Sequence, residues 1–130
     1  MIDKEIIKIA SNTENHSVLD NHTHFSKLKN SICGDVMRIY LIVKDGKITN
    51  FKYECESCIY CQASVSLLSR SAKNKSIEKV KNFAEQAKNC FEKSTKSFDK
   101  EWKEFDKIMS KNIFLEKNVY CYPLIRHLMH

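Results

Sequence analysis

The chain has 130 residues, of which 42% are hydrophobic and 29% charged, and it carries a formal net charge of +6. This size and composition predict one globular domain, residues 1–130, without an apolar run that approaches membrane-spanning length. The N-terminus lacks the basic start and long apolar stretch of a secretory signal, so we expect a cytoplasmic protein. Basic residues are spread among acidic ones over 70–117, which favours a solvated helix surface over a nucleic-acid interface.

The N-terminal part of the chain predicts a helix, a polar segment and a strand. Apolar residues recur at helical spacing over 2–10. The following segment, 11–31, is rich in Asn, Ser and His, and we expect it to be partly flexible. Apolar residues then alternate with polar ones over 36–43, which is the period of a half-buried strand.

A β-hairpin is predicted next, because an Asp-Gly pair separates two strand-like runs. Asp45 and Gly46 readily supply the positive φ angles of a tight turn. The second strand is expected over about 47–54. Its apolar phase slips between Ile48 and Phe51, which predicts a β-bulge.

From Ile59 onward the apolar period becomes helical. Ser76 is the expected N-cap of a second helix in this region, and a final helix is expected over 119–130 with Pro123 in its first turn. Between Ile59 and this final helix, three apolar stripes predict three helices. The stripes are Cys61, Val65, Leu68 and Ala72; Ile77, Val80, Ala84, Ala87 and Phe91; and Phe98, Trp102, Phe105 and Met109.

Six cysteines in an intracellular protein indicate metal or redox chemistry rather than a disulfide framework. Cys33 and Asp35 stand at i and i+2 before the first strand of the hairpin, where extended backbone directs both side chains the same way. Cys58 falls where strand gives way to helix. Cys121 falls at the start of the last helix, whose positive potential favours a thiolate. These four residues predict one exposed metal site with three thiolates and one weaker carboxylate ligand.

The remaining cysteines leave alternatives open. Cys55, Cys58 and Cys61 form two overlapping Cys-x-x-Cys pairs, a pattern that binds zinc or exchanges disulfides. Cys61 also lies on an apolar stripe, which favours core packing over an additional metal ligand. Cys55 is a strand-end residue, a reserve thiol or a further ligand. Cys90 lies far from these motifs and is expected to be structural.

Two histidine pairs have spacings that a metal site can use. His22 and His24 fall in the polar segment, and His127 and His130 are one helical turn apart. Solvated loop residues and a frayed C-terminus are the favoured interpretations of the two pairs.

These motifs resemble those of the iron–sulfur scaffold family that includes IscU, SufU and the N-terminal domain of NifU. The spacing from 33 to 58 and from 58 to 121 is similar to that of the family, and the longer second interval resembles the SufU branch. The resemblance covers about residues 29–72 and 118–128. The matching segments are Asn30-Ser31-Ile32-Cys33-Gly34-Asp35-Val36-Met37, Asp45-Gly46-x-Ile48, Cys58-x-x-x-x-Ala63-Ser64-x-Ser66 and Cys121-x-x-Leu124.

The expected fold is α+β, a small antiparallel sheet with helices packed on one face, and the resemblance implies a third strand from residues near 20–30. It also implies a scaffold that binds a labile [2Fe–2S] cluster or iron through Cys33, Cys58, Cys121 and Asp35. The implied partners are a cysteine desulfurase, which delivers sulfur as persulfide to Cys121 or Cys33, and apo iron–sulfur acceptor proteins. Asp35 would make the cluster labile, because carboxylate oxygen binds a soft cluster less firmly than thiolate does.

Two other functions fit the same residues. A zinc-bound sulfur acceptor of the SufU kind would hold Zn²⁺ on the same four ligands and act as a sulfurtransferase without building a cluster. A non-catalytic zinc module would use Cys55, Cys58 and Cys61 structurally and bind a protein or a nucleic acid.

Overall fold

The computed structural model describes residues 4–29, 36–56 and 59–93 together with Trp102 and Phe105, the side chains at 28, 60 and 87–93 excepted. The strands form one antiparallel sheet in the order β1-β2-β3, with the helices on one face, so the predicted α+β fold is confirmed. The elements are α1 (Lys4–Ala10), β1 (His24–Lys29), β2 (Val36–Lys44), β3 (Lys47–Glu56), α2 (Ile59–Ala72) and α3 (Ile77–Lys93).

The β2–β3 hairpin follows the prediction closely. Asp45 and Gly46 both have positive φ, 54° and 76°, as a two-residue type I′ turn requires. The predicted bulge is also present: the register shifts between Ile42 and Val43, so that Thr49 is the extra residue on β3. The bulge restores the alternation, because it returns the apolar residues on both sides of it to the same face of the sheet.

The core lies between the inner face of the sheet and the helices. Alternation along β2 and β3 turns one set of side chains inward, and the predicted stripe of α2 covers them. All of these side chains are buried: Met37, Ile39, Leu41, Ile48, Phe51 and Tyr53 from the sheet, and Cys61, Val65, Leu68 and Ala72 from α2.

Helix α3 begins at the predicted cap, since the Lys79 N–H donates to Ser76 Oγ over 3.2 Å. Its buried side chains include Phe83, which the predicted stripe omitted. Phe83 stacks on Trp102, with ring centroids 4.4 Å apart, and lies 4.6 Å from the ring of Phe105. Several predicted positions lie outside the described residues or side chains: Ala87, Phe91, Phe98, Met109 and the final helix 119–130.

The implied third strand near 20–30 is confirmed as β1. The polar stretch before it makes specific contacts with the rest of the fold. Asn15 is buried, its Nδ2 donates to Ser69 Oγ over 3.1 Å, and its Oδ1 accepts from Lys52 Nζ over 3.2 Å. The expected partial flexibility within 11–31 stays a prediction. Among the helices of the described ranges, we find none whose length and apolar character would let it span a bilayer.

Candidate metal centre

The end of β1, the start of β2 and the end of β3 are neighbours at one end of the sheet. Lys29, the last residue of β1, pairs with Val36, the first residue of β2, and Val36 also pairs with Glu56, the last residue of β3. Paired Cα atoms in antiparallel sheets lie about 4.5–5.5 Å apart. Residues 30–35 and 57–58 are therefore tethered by their peptide bonds to neighbouring strand ends.

The four predicted ligands, Cys33, Asp35, Cys58 and Cys121, lie outside the described residues. Two of them are covalent neighbours of described strand and helix ends. Asp35 directly precedes Val36, and Cys58 directly precedes α2, two residues after the end of β3. The convergence of all four predicted ligands on this end of the sheet stays a prediction.

The two described cysteine side chains have different surroundings. Cys55 lies on β3 opposite Met37, is half-buried and packs against the edge of the core. Cys61 lies in the first turn of α2 and is fully buried in the core, which favours the packing interpretation for this residue. A metal-binding role for either thiol stays a prediction, as does the structural role of Cys90, whose side chain is outside the description.

The histidines divide between described and undescribed parts of the chain. His22 packs its ring against Phe25 and Tyr40, with centroids 5.6 and 5.5 Å away, on the outer face of the sheet. His24 begins β1 and shares a 2.9 Å contact from Nδ1 with the Thr23 hydroxyl. His127 and His130 lie outside the described residues. Within the described ranges, no group of three or more His, Cys, Asp or Glu side chains is placed to hold a metal ion.

Sequence reasoning missed a segment, residues 15–17, that runs along β3 toward the candidate site. The Tyr53 N–H donates to Asn15 O over 3.0 Å, and the Ser17 N–H donates to Tyr53 O over 2.9 Å. Between them, His16 Nε2 accepts from the Cys55 N–H over 3.3 Å, and its ring meets Tyr53 edge-on at 5.1 Å. This segment therefore fixes the backbone of β3 three residues before Cys58.

Tyr53 and Tyr40 are buried, and their surroundings favour the neutral phenol. Burial raises the pKa of Tyr53, and the hydroxyl of Ser66 acts in the opposite direction. Burial also raises the pKa of Tyr40, helped by the 2.5 Å hydrogen bond that its phenol donates to the Glu54 carboxylate. Neither tyrosine supplies an anionic oxygen to the site at neutral pH.

Comparison with known proteins agrees with the sequence motifs. A sequence model of the NifU-like N terminal domain matches residues 1–113, and the chain belongs to that family. The iron–sulfur cluster assembly scaffold protein IscU of Thermotoga maritima is 31% identical over 85 residues, which are 65% of this chain and 60% of that protein. IscU 1 of Archaeoglobus fulgidus is 29% identical over 79 residues, 61% of this chain and 52% of that protein. The chain thus matches about half to three fifths of these relatives' length.

Solved structures share the whole fold at low sequence identity. A NifU-like protein (N-terminal) from Brucella abortus superposes with a TM-score of 0.82 at 18% identity, covering 98% of this chain and 90% of that one. A putative iron–sulfur cluster assembly scaffold protein for the SUF system from Fervidobacterium islandicum AW-1 gives 0.83 at 18% identity, covering 99% and 96%. This chain therefore shares the fold of these two proteins.

Proposed function

We propose that this protein is a scaffold for iron–sulfur cluster assembly, with the cluster as its cargo. Cys33, Cys58 and Cys121 would bind the cluster, and Asp35 would complete the ligand set. The observation that carries the proposal is the pairing of Val36 with both Lys29 and Glu56, which tethers two ligand-bearing connections to one end of the sheet. The family and the names of its matched relatives support the same function.

The donor set suits a cargo that has to leave. Three thiolates bind iron firmly, whereas the Asp35 carboxylate is a harder and weaker ligand for a soft cluster. Cys58 immediately precedes α2, whose N-terminal potential favours the thiolate form that binds metal. The corner of the cluster that Asp35 binds would therefore be the point at which an acceptor protein displaces the scaffold.

Sulfur would arrive from a cysteine desulfurase as a persulfide. The thiolate of Cys121 or Cys33 attacks the outer sulfur of the donor's persulfide, forming a new persulfide and releasing the donor cysteine as a thiolate. No net oxidation accompanies this transfer, since one sulfur–sulfur bond replaces another. The residue that accepts sulfur would be identified by mass spectrometry of single Cys→Ser variants after incubation with the desulfurase and cysteine.

The weak-ligand role of Asp35 is tested by anaerobic reconstitution with iron and sulfide. Asp35→Ala should hold its cluster longer than the parent protein when a chelator is added, followed by visible absorbance. Cys90→Ser is the matched control, because it alters a cysteine outside the ligand set and should leave the rate of loss unchanged. Equal or faster loss from Asp35→Ala would contradict the proposed role.

A zinc-bound sulfur acceptor is the second candidate, favoured by a four-ligand set that also suits tetrahedral Zn²⁺ and by the SufU-like spacing from 58 to 121. Metal and acid-labile sulfide analysis of protein purified without air separates the two functions. Iron with sulfide supports the scaffold, and zinc alone supports the transferase. A thermal melt of Cys33→Ser addresses the structural zinc module, since only that function requires the variant to unfold.

A further inference from the structure

The two edges of the sheet differ in how their backbone groups are paired. Along β3, the Asn15 carbonyl and the Ser17 N–H bond to Tyr53, and Ile48 bonds to Lys75 and Asn74. Along the outer edge of β1, the structure shows no strand or hydrogen-bond partner within the residues that it describes. An edge strand of this kind presents a row of unpaired donors and acceptors to any extended chain that approaches it.

The contacts at the start of β1 show which backbone groups face outward. The Leu41 carbonyl accepts from the Thr23 N–H over 2.8 Å, and the Val43 N–H donates to Thr23 Oγ over 2.8 Å. The odd-numbered residues of β2 therefore direct their backbone polar groups toward β1, and their partners in the register direct theirs back. Those partners are His24, Ser26 and Leu28. The backbone N–H and C=O groups that point away from the sheet are those of Phe25, Lys27 and Lys29.

The side chains of the same three residues lie on the outer face of the sheet. Phe25 pairs with Tyr40 and Lys27 with Arg38, which alternate with buried core residues along β2. Phe25 is 44% exposed, its ring lies 5.1 Å from that of Tyr40, and the side chains of Lys27 and Lys29 are exposed. The edge thus offers an aromatic surface at one end and two ammonium groups at the other.

We propose that the outer edge of β1 binds an extended segment of an acidic partner protein by strand addition. An apolar side chain of that segment packs against Phe25, and acidic side chains lie opposite Lys27 and Lys29. The alternation follows from the two-residue period of side chains on one face of a strand. Two copies of this chain would each bring a formal charge of +6 to the contact, so charge complementarity favours an acidic partner.

The location of this edge gives the interaction a consequence. Lys29 ends β1 and leads directly into residues 30–35, which carry Cys33 and Asp35. A bound segment would therefore lie beside Lys29, the residue from which the chain continues toward two of the proposed ligands. The proposal concerns binding alone, so it holds whether the site carries an iron–sulfur cluster or zinc.

The test uses the full chain and two synthetic probe peptides. Acetyl-ETETVT-amide would place its glutamates opposite Lys29 and Lys27 and its valine opposite Phe25 in antiparallel addition. Acetyl-TVTETE-amide would make the same three pairs in parallel addition. Amide hydrogen exchange followed by NMR should show rapid exchange at Phe25 and Lys27 in the free protein. One of the peptides should slow exchange at both. His24 and Ser26 are internal controls, because their amides already face β2.

A charge swap tests the specificity. Lys27→Glu with Lys29→Glu should weaken binding of the acidic peptide about tenfold, since two cross-strand pairs change from attractive to repulsive. The same variant should bind acetyl-KTKTVT-amide or acetyl-TVTKTK-amide better than the parent protein does. Lys44→Glu with Lys73→Glu is the matched control, because it makes the same charge change at two exposed lysines away from β1.

Three results would overturn the proposal. Slow exchange at Phe25 and Lys27 in the free protein would show that the edge is already covered. Equal weakening by the Lys44 and Lys73 variant would show that the peptide responds to net charge alone. Protection that rises with protein concentration in the absence of peptide, together with self-association in sedimentation, would assign the edge to a second copy of this chain.

Discussion

The two edge strands of the sheet have opposite surroundings. β3 is bordered by residues 15–17 near the candidate site and by residues 74–77 near the hairpin turn. β1 has exposed side chains at Phe25, Lys27 and Lys29, and its outer edge, opposite β2, has no neighbouring strand among the described residues.

The covered edge connects the sheet to the helices that follow it. Asn74, with a φ of 70°, turns the chain after α2 so that its N–H reaches the Ile48 carbonyl over 2.7 Å. At the other end of β3, His16 and its neighbours hold the strand just before Cys58. The edge strand that leads toward the proposed ligand Cys58 is thus fixed by described neighbours, whereas the edge strand that leads toward Cys33 and Asp35 has none on its outer side among the described residues.

The largest expected difference between the two edge strands is in the stability lost when one of their apolar side chains is truncated. Ile48→Ala should lower the free energy of unfolding by about 2–5 kcal/mol, because Ile48 is fully buried. Phe25→Ala should lower it by about 1 kcal/mol, because Phe25 is 44% exposed and its ring contacts those of Tyr40 and His22. Urea denaturation followed by circular dichroism measures both. Equal losses would mean that the Phe25 side chain is buried as fully as that of Ile48.

The segment at 15–17 is tested next through its buried amide. Asn15→Ala removes the partner of both Ser69 and Lys52, and it should cost about 1–3 kcal/mol of stability. Asn82→Ala, at an exposed position of α3, is the control and should stay within about 0.5 kcal/mol. A loss at Asn15 no larger than that at Asn82 would show that the buried amide of Asn15 does not stabilise the fold.

Two buried serines of α2 sharpen the same comparison. Ser66 Oγ donates to the Asn12 carbonyl over 2.7 Å and so anchors the chain just before the segment 15–17 that borders β3. Ser66→Ala should cost about 1 kcal/mol. Ser64 is equally buried, but its hydroxyl has no hydrogen-bond partner among the described residues. Ser64→Ala should therefore be neutral or stabilising in the same denaturation experiment, and a loss as large as that of Ser66→Ala would reveal a partner for Ser64.

The last prediction concerns the stability of the protein in alkaline solution and expects the smallest effect at neutral pH. Burial raises the pKa of Tyr53 above its value in the unfolded chain, so its contribution is complete below about pH 10 and is lost as the pH rises further. Tyr53→Phe should reduce the fall in stability above that pH without altering the pH dependence near neutrality. Chemical denaturation at a series of pH values measures the slope, and an unchanged alkaline slope would contradict the assignment.

Local patterns were sufficient for the hairpin and for α2. The Asp45-Gly46 turn, the two-residue alternation of β2 and the four-residue stripe from Cys61 to Ala72 each depend on neighbours close in sequence. The structure confirms all three, including the bulge at Thr49. The scaffold family was also recognised from short motifs, because its ligands occur at characteristic positions relative to those elements.

The segment 15–17, which borders β3, had no such pattern. Asn15, His16 and Ser17 are polar residues without periodicity, and their partners are more than thirty residues away along the chain. Phe83 was likewise missed, because its burial depends on Trp102 and Phe105 and not on its own helix alone.

The sequence by itself determined β2, β3, the first helices, the turn and the identity of the proposed ligands, since these follow from side-chain period, turn chemistry and motif, whereas β1 was implied by the family resemblance alone. The tertiary structure alone decided which strand ends are neighbours, which edge of the sheet is covered and where the buried polar side chains find partners. The physical reason is that hydrogen bonds and burial between distant segments depend on the packing of the whole fold, which no local run of residues encodes.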